Sequence, residues 1–88
     1  MELERDVESY LGKLVRTLSG EYIKVGYDGW PDRLILAPGG KSCWVELKRE
    51  GGVLAPLQQM RIAQLQKVGQ QVVVCWSKEE AEEIAKAL

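Results

Sequence analysis

The chain has 88 residues, 45% hydrophobic and 28% charged, with a formal net charge of −1 and no histidine. That length suits a single domain, 1–88, because one core usually takes on the order of 50 to 200 residues. Without histidine there is no Ser-His-Asp or Cys-His nucleophilic system, no imidazole base and no imidazole metal ligand, so any catalysis runs on carboxylates, lysine and oxygen-bound cations.

The longest apolar run, VVVCW, is far below the roughly 20 residues that span a bilayer. The charged start MELERDVE lacks the apolar stretch of a secretory signal. A cytoplasmic protein with no membrane partner is expected. Cys43 and Cys75 lie inside apolar runs without C-x-x-C spacing, which reads as core thiols in a reducing compartment. Charge is unevenly spread. Lys13 to Lys67 carries nine Lys/Arg against five acids, whereas the two ends carry three Lys/Arg against eight acids. The basic middle could face a phosphate backbone while the acidic ends face solvent.

In chain order, Leu3, Val7, Tyr10, Leu11, Leu14, Val15 and Leu18 recur at helical spacing and predict an amphipathic helix over 2–18, ended by Gly20. Glu4 falls on the border of its apolar stripe. YIKVGY (22–27) predicts a strand broken by DGWPD. A hairpin around Pro38-Gly39-Gly40 follows, then a Gly51-Gly52 loop and a helix over 56–68 with Pro56 at its first turn and Gly69 beyond its end. QVVVCW (71–76) is apolar at consecutive positions, as in a central strand covered on both faces. Ser77 and Glu80 form a capping box for a last helix over 78–88. The order α-β-β-β-α-β-α predicts an α/β (α+β) fold. The first three strands are joined tightly enough to be antiparallel, and the β-α-β unit that follows makes its two strands parallel.

The hairpin decides what its charges do. Pro38 fits the second position of a type I turn and Gly40 the left-handed position after it, giving a three-residue loop. That register pairs Ala37 with Lys41, Leu34 with Trp44, and Asp32 with Glu46, so two carboxylates become neighbours on one face. Facing like charges destabilise a sheet, and burying them costs more. Lys48 shares their face but leaves one acid in excess. A divalent cation held by Asp32 and Glu46, with the Leu47 carbonyl as a further hard oxygen, would resolve the imbalance, as Mg²⁺ or Mn²⁺ prefer. The competing reading is a solvated strand end with a simple Glu-Lys pair. Gln58, on the apolar face of the second predicted helix, is either a satisfied helix-start amide or a group placed to bond water or a phosphate oxygen.

The combination of an N-terminal acid, G-x-P-D, E-L-K and a downstream Gln resembles the PD-(D/E)xK nuclease core, and GWPDRLIL, GGKSCWVELKREGG and LAPLQ resemble the VRR-NUC family. The resemblance runs from Glu4 to Trp76 and departs mildly at Trp30, where the family often carries a small residue or Val. It implies a restriction-endonuclease-like core, αβββαβ(α), with a mixed four-stranded sheet flanked by helices. It further implies that Asp32, Glu46 and the Leu47 carbonyl bind catalytic Mg²⁺ or Mn²⁺, with Glu4 completing the site and Glu8 the competing candidate. Lys48 would orient or activate the attacking water and Gln58 would help position water or phosphate. Lys24, Arg33, Arg49 and Arg61 are candidates for DNA backbone contacts. By analogy with Holliday-junction resolvases, the expected form is a homodimer acting on branched DNA in a bacterial or phage-infected cell. The alternatives are a non-catalytic DNA-binding or assembly domain, and a restriction-type or RNA-directed nuclease.

Overall fold

The structure is a computed structural model that describes residues 2–88. Its elements are α1 (Glu4–Thr17), β1 (Glu21–Lys24), β2 (Arg33–Ala37), β3 (Lys41–Leu47), α2 (Pro56–Lys67), β4 (Val72–Cys75) and α3 (Lys78–Lys86). The four strands form one sheet in the order β1-β2-β3-β4. β1–β2 and β2–β3 pair antiparallel and β3–β4 parallel. This is the mixed, helix-flanked sheet that the element order and its connections predict.

Alternation along β3 sorts the two faces. Cys43, Val45 and Leu47 are buried in one cluster with Val7, Leu11 and Val15 of α1 and Ala81 of α3. Each fully buried Val or Leu side chain of this cluster contributes about 1.5–3 kcal/mol. Trp44, Glu46 and Lys48 therefore point to the other face, where α2 lies. On β2 the same alternation sends Arg33 and Ile35 toward α1 and leaves Leu34, the cross-strand partner of Trp44, on the α2 side. No helix among the described residues is long and apolar enough to cross a membrane.

Several local features differ from the predicted ones. α1 begins at Glu4, and the residue that leaves it in a left-handed conformation is Ser19, φ 64°, rather than Gly20. β1 stops at Lys24, short of the predicted 27, because Gly26 turns the chain at φ 73°. β4 is an edge strand, not a central one. Its consecutive apolar residues reflect helices on both faces of that edge, since Val72 and Cys75 are buried although only β3 bonds to it. α3 starts as predicted, with Ser77 accepting from the Glu80 amide at 3.1 Å, and both cysteines are free and buried.

The hairpin register is the predicted one, Ala37 opposite Lys41, Leu36 opposite Ser42 and Leu34 opposite Trp44. Its turn type is not. Gly39 has φ 84° and Gly40 φ 77°, whereas a type I turn needs a negative φ at the third position. Proline at the second position suits type II equally, and glycine at the third makes the positive φ available without a Cβ penalty. Loop length, which sets the register, is unchanged.

Candidate active site

Extending the β2–β3 ladder by one step past Arg33–Val45 brings Asp32 opposite Glu46. Asp32 is half-buried and Oδ2 accepts the Leu47 amide at 2.8 Å, which fixes the carboxylate against the end of β3. Glu46 is 1% exposed, the one buried charged residue found among those described. Burial pushes its carboxyl up to about 8, and the hydrogen bond with Asp32 and the charge of Asp32 push the same way. Lys48 pulls it down, and Glu4 adds slightly to the rise. Two acids are thus held together at the mouth of the hairpin with too little positive charge between them.

Gln58 reaches this pair from α2. Its Oε1 accepts the Ala55 amide at 2.9 Å, and its Nε2 lies 3.4 Å from Glu46 Oε2, a long contact. The helix-start role and the site-facing role are held by one side chain, one at each end of its amide. Lys48 is half-buried just past β3, with its own amide donating to Cys75 O at 3.1 Å, which carries the β3–β4 ladder one step beyond the last strand residue.

The third acid is different. Glu8 pairs with Arg33, Oε2 to Nε 2.9 Å, and the Arg33 guanidinium lies 4.5 Å from the centroid of the Tyr22 ring. The Tyr22 hydroxyl in turn donates to the Glu8 carbonyl at 2.9 Å. Glu4 is exposed. No group of three His, Cys, Asp or Glu among the described residues is arranged to hold a metal. The reason is topological: α1 packs on the face opposite Glu46, so its acids reach the Asp32–Glu46 pair only past the strand ends. Of the predicted backbone cations, Arg33 is committed to Glu8 and Tyr22, whereas Lys24 and Arg49 are exposed.

Arg61 of α2 stacks over Trp30, 4.8 Å from the ring centroid, and Trp30 lies against Trp44 at 5.6 Å. This stack was invisible in the sequence, where Trp30 stood only as a departure from the resemblance. It braces the Trp30-Pro31-Asp32 segment against α2 and β3, and Pro31 is fully buried. Gly29 completes the brace. At φ 78°, a Cβ there would sit 2.5 Å from Leu57 Cγ. Gly29→Ala is therefore expected to destabilise by about 2–3 kcal/mol, from left-handed strain plus overpacking. Thermal unfolding checks this, and an unchanged midpoint would show that the Gly29–Leu57 approach is dispensable.

A mixed sheet with an Asp opposite a Glu-x-Lys at the mouth of its hairpin defines the PD-(D/E)xK class of nucleases. No family model matches the chain. It is 36% identical over 74 residues to "Putative nuclease p44" of Acyrthosiphon pisum secondary endosymbiont phage 1, a match covering 81% of this chain and 80% of the phage protein. A solved structure described as a VRR_NUC domain matches with a TM-score of 0.84 and 26% identity over 94% of each chain. The chain belongs to the VRR-NUC nuclease family.

Proposed function

We propose that this nuclease hydrolyses phosphodiester bonds of branched DNA, such as flaps or four-way junctions, with Mg²⁺ or Mn²⁺ held by Asp32 and Glu46. The observation that carries the reading is the Glu46 carboxylate, buried against Asp32 with no cation of the protein close enough to form an ion pair with either among the described residues. The donor set fits such a metal. Mg²⁺ keeps several waters and binds through one or two carboxylates plus substrate phosphate, so a pair of acids without a third is sufficient. When bound, the cation supplies Lewis acidity and lowers the pKa of its water.

The chain's own residues do the rest. The Leu47 amide holds Asp32 in place, and the Ala55 amide holds Gln58 so that its Nε2 faces the pair. Lys48 brings a positive charge beside Glu46, where it would orient the attacking water and stabilise charge developing on the phosphate. Glu4, the α1 acid whose charge reaches Glu46, would join through water. Glu8 is the weaker candidate because Arg33 already holds it. Lys24, Arg49 and Arg61 would contact the DNA backbone, Lys24 beside Asp32.

Dimerisation is part of the proposal. Ile23 and Leu36 are each 41% exposed on the sheet face away from α1, an apolar surface that a second copy could cover. The test is cleavage of supercoiled plasmid, flap and four-way junction DNA with Mg²⁺, Mn²⁺ or EDTA. Cutting of the branched substrates that EDTA stops is expected, and Lys48→Ala should lower kcat at least about 100-fold. Inactivity on every DNA with both metals would end the reading. Preference for plain duplex would end its branched-DNA part. A monomer by sedimentation at micromolar concentration would end the dimer.

A further inference from the structure

Beside the Asp32–Glu46 pair the structure has a cleft of about 260 Å³ that shares only Asp32 with it, lined by Tyr27, Trp30, Lys24, Glu8, Asp28 and Asp32. Three observations say what it takes. Tyr27 is 73% exposed, yet it sits on an anchored turn rather than a loose loop. The Trp30 amide donates to Tyr27 O at 3.1 Å, the Val25 amide donates to Asp32 O at 3.1 Å, and Gly29 is fitted against Leu57. An exposed aromatic ring is thus carried on a turn whose backbone is held in place.

The cleft's charges do not favour a phosphate as its main occupant. Glu8 is already paired with Arg33 and Asp32 is assigned to the cation, so Asp28 and Lys24 leave the cleft without the net positive charge a phosphodiester needs, and a carboxylate there accepts hydrogen bonds from the amino groups of bases. Aromatic rings stack on any base, because every base has a π-face. Lys24, exposed beside the cleft, is left for the flanking phosphate. We propose that this cleft holds one unpaired nucleobase of the DNA substrate, next to the phosphodiester to be cut, stacked on the Tyr27 ring. A base within a duplex cannot enter it without leaving its own stack, at a cost of a few kcal/mol, and the cost is least where the base is already unpaired. The cleft thereby favours cutting beside a branch point or single-stranded junction.

The inference rests on the cleavage proposed above, and one experiment separates the two. Wild type, Tyr27→Ala and Tyr27→Phe would be assayed with Mg²⁺ on flap and four-way junction DNA, intact or with a single abasic residue at each nucleotide flanking the cut. Tyr27→Ala should lower kcat/KM about tenfold or more, the worth of one stacked base, and Tyr27→Phe should retain it because stacking needs no hydroxyl. One abasic position should lower wild type by the same factor and leave Tyr27→Ala no worse. Wild-type kinetics in a folded Tyr27→Ala, or losses that multiply with every abasic position, would overturn the base-holding cleft while the nuclease reading stood. A wild type inert on all these DNAs would overturn both.

Discussion

Asp32→Asn is expected to lower metal-dependent cleavage at least about 1,000-fold while leaving the fold intact. Two effects of the substitution have to be kept apart. Asp32 is a structural acceptor as well as a charge: its Oδ2 takes the Leu47 amide at 2.8 Å, and Leu47 is buried. Deleting the side chain would leave that amide unpaired, at about 1–3 kcal/mol, and would confound a kinetic measurement with partial unfolding. Asparagine keeps an oxygen for the amide and removes only the negative charge. A 1,000-fold loss corresponds to about 4 kcal/mol, within the several kcal/mol that a correctly held cation contributes to the transition state. The checks are single-turnover cleavage of flap and junction DNA beside a thermal melt. A variant that melts like wild type and cuts within tenfold of it would remove Asp32 from the site. Asp32→Ala should lose both activity and stability.

Why so much of this site could be read from the sequence, and why part of it could not, follows from the range of the interactions. The Asp32–Glu46 pairing depends on three consecutive residues, Pro38-Gly39-Gly40, because loop length sets the register of everything beyond it. The turn type was misjudged, yet a three-residue loop carries the same pairing in either type. The buried stripe of α1 was similarly legible, since Val7, Leu11 and Val15 need only helical spacing to share a face. By contrast, the choice between Glu4 and Glu8 depends on where α1 crosses the sheet. Arg33 turns toward α1 by strand alternation and engages Glu8, a fact with no local signature in either segment. The Trp30–Trp44–Arg61 stack joins three elements and is equally nonlocal. Misreading VVVC as a central strand has another cause: consecutive apolar residues report coverage of both faces, and helices can provide that at an edge.

Metal-free protein should lose stability as pH rises from 5 to 9, and Glu46→Gln should largely abolish that loss. The Glu46 carboxyl is pushed up to about 8 from an ordinary value of 4.5, first by burial and then by Asp32. A group whose folded pKa is raised binds its proton more tightly in the folded state. Its contribution to stability is complete below about pH 4.5 and is lost as pH climbs through 8. The span corresponds to as much as about 5 kcal/mol. Cys75, pushed up to about 11, titrates above this window. In EDTA at pH 8.5, Glu46→Gln should therefore melt well above wild type, because the amide fills the same space without an ionised form. Mg²⁺ should reverse the order of the two. A cation that binds the ionised pair stabilises the folded state by mass action, so wild type should gain at pH 8.5 while the glutamine variant gains little. Thermal melts across pH 5–9, with EDTA and with Mg²⁺, read both effects. A wild-type profile that is flat in EDTA, or equally steep in the variant, would show that Glu46 is not held neutral by its surroundings. The charge conflict at the hairpin mouth would then lose its force as a reason for a bound cation.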